Sequence, residues 1–150
     1  MVKTHIKKSK SLGPSPPPKT EATRKTMKAN RAKNTGPEIV LRRSLYEAGL
    51  TGYRLNWVGA PGRPDICYPG RKIAIFIHGC FWHRCPKCNL RLPKTHTDFW
   101  EKKFELNKRR DKKNNNELLN SGWKVIVFWE CEIKKELPIC ISVVKTSFRK

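Results

Sequence analysis

Between His78 and Cys88 the chain reads His-Gly-Cys-Phe-Trp-His-Arg-Cys-Pro-Lys-Cys, which puts three thiols, two imidazoles and two adjacent aromatic rings within eleven residues. Thiolates are soft ligands, and Cys80-x4-Cys85-x2-Cys88 supplies three of the four that tetrahedral zinc takes. Cys131, which ends a later apolar run, is the natural fourth and would tie the knuckle to the rest of the chain. A zinc ion with all four positions filled by protein leaves no place for water, so this reading makes it structural. Cys67 and Cys140 remain as buried or semi-buried thiols without a metal. Cys-x2-Cys alone also suits a redox pair, and zinc knuckles also take histidine, so spacing leaves those alternatives open.

A second, harder set of groups needs none of the thiols: Asp65, His78, His83, Asn107 and Asp111. A carboxylate binds magnesium, which prefers oxygen ligands and brings phosphate and water with it. A histidine of near-neutral pKa can take a proton from that water or give one to a leaving oxygen. In a strongly basic chain this combination describes phosphodiester hydrolysis. Phe81 and Trp82 lie between these groups, and Trp100 follows nearby. Two neighbouring rings in a loop either pack and brace the knuckle or wedge between stacked bases.

The elements that must position these groups follow from pattern. Ile73 to Ile77 is a continuous apolar run, the core of a buried strand spanning Lys72 to His78. Asp65 opens a short strand to Tyr68, and Pro69-Gly-Arg71 turns the chain, so Asp65 and His78 fall at the same end of a hairpin. A rigid loop, Gly59-Ala-Pro-Gly-Arg-Pro, precedes Asp65, and a strand over Tyr53 to Trp57 precedes the loop. Upstream, Thr35-Gly-Pro-Glu38 has capping-box spacing and opens a helix to about Ala48, with Leu41, Leu45 and Ala48 facing inward. Glu38 is either the reciprocal cap or an acid offered to a site. Thr97 caps a helix from about Asp98 to Asn120, on which Trp100, Phe104, Asn107 and Asp111 form one stripe running from core to cleft. Asp111 within Lys108-Arg-Arg-Asp-Lys-Lys113 also fits a solvated face whose lone acid relieves repulsion. Trp123 to Trp129 is another apolar strand, and Leu137 to Phe148 forms a closing helix.

Charge limits the partners. There are 33 Lys and Arg against 12 Asp and Glu, formally +21, and the usual counterweight to such an excess is nucleic acid. No apolar stretch reaches spanning length and no basic amphipathic stretch has a wide apolar face, so a membrane is not the expected partner. The N-terminus has positive charges without an apolar h-region, which predicts an intracellular protein whose cysteines are free or metal-bound. Residues 1–34 hold ten Lys or Arg, one acid and the tract Ser11 to Pro18. They are expected to form a flexible basic arm, with residues 35–150 as one domain. The arm is either a solubilising tail or a clamp on a phosphate backbone, with Arg24 to Lys33 turning partly helical on contact.

These blocks together resemble the very-short-patch-repair (Vsr) DNA mismatch endonucleases. The matching pieces are Pro61-Gly-Arg-Pro-Asp65, His78-Gly-Cys-Phe-Trp-His83, Asp98-Phe-Trp100, Asn107 with Asp111, and Gly122-Trp123 through Trp129-Glu-Cys131, in family order. The resemblance implies that Asp65 binds magnesium, that His83 activates water and that Asp111 orients it. It makes His78 the second active-site histidine, with Asn107 in the same stripe and Glu38 a further acid of the site. Phe81, Trp82 and Trp100 become the rings that intercalate beside the mismatch, and Cys80, Cys85, Cys88 and Cys131 the structural zinc site. The sequence departs from some relatives at Cys85, where they carry histidine, and at Ile77, where they carry threonine. The Glu-x-Lys of ordinary restriction nucleases is absent after Asp65.

The implied fold is an α/β domain of the restriction-endonuclease-like class, a mixed central sheet flanked by helices with one structural zinc knuckle. The implied reaction is nicking of one strand 5′ to the thymine of a T·G mismatch in double-stranded DNA, repairing deaminated 5-methylcytosine. A monomer in the bacterial cytoplasm, associated with the nucleoid and open to repair-pathway proteins, is the expected setting. Two rivals stand beside this reading: a non-catalytic zinc-knuckle module that binds DNA, and a nuclease of the same fold with a different target.

Overall fold

The computed structural model describes residues 12–29 and 33–149. Residues 1–11 and 30–32 of the basic arm expected at residues 1–34 therefore lie outside the described residues. Within it, helix α1 covers Glu21–Ala29 and buries none of its residues. Thr20 starts the helix, its Oγ1 accepting the Thr23 N–H at 3.1 Å.

The rest of the chain wraps a four-stranded sheet. Helix α2 (Gly36–Glu47) leads to strand β1 (Arg54–Leu55), β2 (Ile66–Tyr68), a 3-10 turn at Pro69–Arg71 and β3 (Ile73–His78). Long helix α3 (Thr97–Asn120) then crosses to β4 (Lys124–Trp129), and α4 (Glu130–Lys135) and α5 (Leu137–Ser147) close the chain. The order is β1-β2-β3-β4, antiparallel except for the parallel pair β3 and β4. Hairpin connections suffice for the first pairs, whereas a parallel pair needs a long crossover, which α3 supplies.

Alternation along β3 assigns its two faces. Ile73 and Ile75 join Leu41, Leu45, Phe128, Ile133 and Val144 in the larger core, beneath α2, α4 and α5. Ala74 and Phe76 face the other way, against Leu118 of α3, with Trp57, Trp123, Val125 and Val127 around them. By the same alternation His78 belongs to the α3 face, the face on which Asp111 lies.

Local structure differs from the expectations in four places. Thr35 makes no side-chain cap bond, and Glu38 Oε2 instead accepts the Asn34 N–H at 3.0 Å. His96, at φ 54°, precedes α3 in the capping position, while Thr97 Oγ1 donates to the Pro93 carbonyl at 3.0 Å. The strand expected over Tyr53 to Trp57 shrinks to two residues: Asn56 still donates its N–H to the Asp65 carbonyl at 3.2 Å, but its left-handed φ of 47° turns the chain out of extended conformation. Helix α4 was not anticipated; Glu132 Oε2 accepts the Trp129 N–H at 2.9 Å and turns the chain as β4 ends. Among the described residues no helix is long and apolar enough to cross a membrane.

Candidate active site and cysteine cluster

The register of the parallel pair brings both candidate centres together. His78 lies opposite Trp129, so the chains leave the sheet side by side, and two residues later each delivers a thiol, Cys80 and Cys131. Cys85 follows in a turn closed by its N–H donating to the Cys80 carbonyl at 2.9 Å. The sulfurs of Cys80, Cys85, Cys88 and Cys131 all lie within 4.8 Å of one another. Cys85 and Cys131 Sγ are 3.8 Å apart. Two sulfurs about 2.3 Å from a common tetrahedral centre stand about 3.8 Å apart, so the donor set and its spacing fit such an ion. Cys67 and Cys140 are buried in the core, away from this group.

The imidazoles gather elsewhere, on Asp111. The rings of His78 and His83 stack in parallel, 4.0 Å between centroids and 6° between planes. His83 Nδ1–H donates to Asp111 Oδ2 at 2.5 Å, and His78 Nε2 is 4.0 Å from the same oxygen. That bond commits Nδ1 of His83, leaving Nε2 to accept a proton. Burial, with the neighbouring His83 adding to it, pushes His78 down to about 4 against the pull of Asp111. His78 is therefore neutral wherever the protein works near pH 7.

Asp65 enters from β2's side. Its Oδ2 accepts the Ile77 N–H at 2.7 Å, which fixes the carboxylate at the strand end next to His78. Burial raises Asp65 to about 6; the Ile77 hydrogen bond opposes the rise and the charge of Glu38 adds to it. Glu38 lies on the same helix face as Leu41 and Leu45, which turns it toward the sheet and leaves it only 6% exposed. Asp65 and the buried Glu38, both lining one cleft, offer carboxylate oxygens of the kind a hard cation takes.

Glu38, Asp65, His78, His83 and Asp111 all line one cleft of about 1010 Å³ between the start of α2 and the flank of α3. Arg63, Arg110, Asn114 and Glu130 line it as well and were not anticipated. Asn114 continues the α3 stripe one turn beyond Asp111, and Glu130 directly follows the residue paired with His78, so periodicity and register contained the signal.

Asn107 is placed differently. It is buried, its Nδ2 donates to the Trp82 carbonyl at 3.0 Å and its Oδ1 accepts from Arg110 at 3.3 Å. Asn107 thus holds the loop that carries Trp82 and His83 and does not itself line the cleft. Phe81, Trp82 and Trp100 form a half-buried aromatic group over Phe104, with centroids 5.2 Å (Phe81–Trp82), 5.6 Å (Phe81–Trp100) and 5.9 Å (Trp82–Trp100) apart. Trp82 alone of the three also lines the cleft.

Comparison with known proteins gives one consistent relationship. The family described as DNA mismatch endonuclease Vsr matches residues 19–90. The type II nicking enzyme V.XorIIP of Xanthomonas oryzae pv. oryzae is 41% identical over 114 residues, 75% of this chain and 82% of its own. V.NmeAIP of Neisseria meningitidis serogroup A, also a type II nicking enzyme, is 46% identical over 111 residues, covering 73% and 76%. The DNA mismatch endonuclease Vsr of Escherichia coli K12 is 36% identical over 115 residues, covering 76% and 73%.

Proposed function

Taking as premise that this chain belongs to the Vsr family of DNA mismatch endonucleases, we propose that it nicks one strand of duplex DNA 5′ to the thymine of a T·G mismatch. The observation that carries the reading is the meeting in one cleft of a His–carboxylate pair, a neutral second histidine and two mutually repelling carboxylates.

In this reading His83 takes the proton of the attacking water at Nε2, and Asp111 stabilises the imidazolium that forms. Water oxygen bonds to phosphorus, the bond from phosphorus to one bridging oxygen breaks, and the departing oxygen takes its proton from solvent water. His78, neutral and 4.0 Å from Asp111, lines that side of the cleft without supplying the proton. Asp65 and Glu38 would hold magnesium, which would supply positive charge against that of the phosphodiester. Cys80, Cys85, Cys88 and Cys131 would hold zinc, which would keep the two strand ends together apart from the reaction. Phe81, Trp82 and Trp100 wedge beside the mismatch, where unstacking is already cheaper than in matched DNA. The sheet and its flanking helices are read as a restriction-endonuclease-like core, and the protein as a cytoplasmic monomer acting on nucleoid DNA.

A panel of end-labelled duplexes differing in one base pair tests this. The expected product is a single nick in the thymine strand of the T·G duplex. Equal cutting of the matched duplex would favour a nuclease of broader target, a reading the relatives named nicking enzymes keep in play. Binding without any scission would favour a DNA-binding module.

A further inference from the structure

Among the described residues the lining of the cleft is acidic, although the chain is strongly basic. Among the described residues lining it, Glu38, Asp65, Asp111 and Glu130 are acids and only Arg63 and Arg110 are permanent cations. Glu130 is paired with Lys134 at 2.6 Å, which leaves three carboxylates facing an incoming anion. Arg110 is engaged: it donates to Asn107 Oδ1, beside His78. Arg63 lies exposed on the cleft wall and takes part in none of the side-chain hydrogen bonds or ion pairs among the described residues.

Its backbone makes this choice of residue informative. Arg63 has φ 49°, a left-handed conformation that costs a residue with a Cβ and that glycine adopts freely. Gly62, at φ 77°, lies so close to α3 that a Cβ there would come 2.8 Å from Asn114 Nδ2. The loop is thereby pinned against the helix one turn past Asp111, and Pro64 stiffens its exit toward Asp65. Glycine at 63 would serve that turn with less strain, so the arginine side chain contributes something the turn does not require.

We propose that Arg63 binds a non-bridging oxygen of the phosphodiester to be cut, seating the phosphorus between Asp65 and His83. A guanidinium is suited to this, because its planar donors grip two phosphate oxygens at once. The inference rests on the nuclease reading above and adds the residue that makes an acidic cleft accept an anionic substrate.

The test uses the full-length chain and its Arg63→Ala, Arg63→Lys and Arg63→Gly variants. Three quantities are measured: single-turnover nicking of a T·G duplex at saturating enzyme, the salt dependence of duplex binding, and Tm. Arg63→Ala and Arg63→Gly should nick about 100-fold or more slowly, with Arg63→Lys between them and the native chain. The slope of log affinity against log salt should fall by about one, the mark of a lost phosphate contact. Tm of Arg63→Gly should equal or exceed that of the native chain. Native-rate nicking by Arg63→Ala, or an unchanged salt slope, or a lowered Tm in Arg63→Gly would overturn the assignment and leave Arg63 a turn residue. Failure of the native chain itself to nick would instead overturn the nuclease reading.

Discussion

The cysteine cluster and the His–Asp cluster stand at the ends of the same two parallel strands and are built in opposite ways. Three of the four thiols come from nine consecutive residues, their sulfurs face one another, and the set is closed. The second cluster draws Asp65 from the start of β2, the histidines from the end of β3 and beyond, Asp111 from the middle of α3 and Glu38 from α2, and it opens on a cleft. One cluster can be completed by a single ion and then has nothing further to bind. The other is held by the fold with its repulsions unrelieved, and it is those repulsions that a cation and an anionic substrate can relieve. Placing the two side by side lets a rigid joint hold a strained site in register.

If that division is right, damage to the first cluster should reach everything. Cys131→Ser, or a strong chelator, should cost the fold as well as the activity. Structural zinc in small domains contributes on the order of 10 kcal/mol, comparable with a domain's whole stability. Thermal melting and zinc content check it together, and a variant that stays folded without zinc would break the comparison.

Damage to the second cluster should separate activity from stability. Asp65→Asn should lower nicking by about a thousandfold or more while leaving zinc and duplex binding intact. It should also raise stability at neutral pH, by about 1 kcal/mol. The sign follows from the fold holding the Asp65 proton more tightly than the unfolded chain does, at about 6 against 3.8. Ionisation therefore costs stability as pH rises through that window, and the cost is fully present at pH 7. Denaturant titration beside a nicking assay measures both halves, and a destabilised Asp65→Asn chain would count against the repulsion described here.

The same shift predicts a pH profile. Nicking should fall as pH drops through about 6, where Asp65 takes up its proton, and more magnesium should move that midpoint lower because metal and proton compete. His78, near 4, adds no limb in that range. A midpoint indifferent to magnesium would separate Asp65 from the metal.

The smallest effect belongs to the aromatic group. Trp82→Ala should reduce the preference for T·G over matched duplex by about tenfold, since one stacked ring contributes about 1–3 kcal/mol, with a lesser loss of overall affinity. Equal loss on both duplexes in a competition assay would remove Trp82 from mismatch sensing.

How much of this was legible in the sequence depended on whether one local pattern held the information. The α3 stripe from Trp100 to Asp111 followed from helical spacing, and the two thiols brought together by β3 and β4 followed from where the apolar runs end. Asn107 shares the stripe but turns inward to hold the Trp82 carbonyl, a contact between loop and helix that spacing does not specify. Glu38 matched a capping pattern, yet its carboxylate found the Asn34 N–H before the helix and faced the cleft. Arg63 lies within the Pro61–Asp65 motif but spacing gives it no role, because its strain and its lack of side-chain partners among the described residues exist only once the loop lies against α3. Local periodicity is written in the chain; which side chains remain unpaired after packing is not.

What remains to be tested first is whether a hard cation at Asp65 and Glu38 serves the chemistry while the thiol site only holds shape. The most direct measurement is nicking of a labelled T·G duplex by zinc-replete protein, freed of magnesium and then titrated with it, with bound zinc followed throughout. No nick is expected without magnesium, with a rate that rises and saturates as magnesium is added, and with unchanged zinc content. Full nicking in magnesium-free buffer, falling only when zinc is withdrawn, would contradict it.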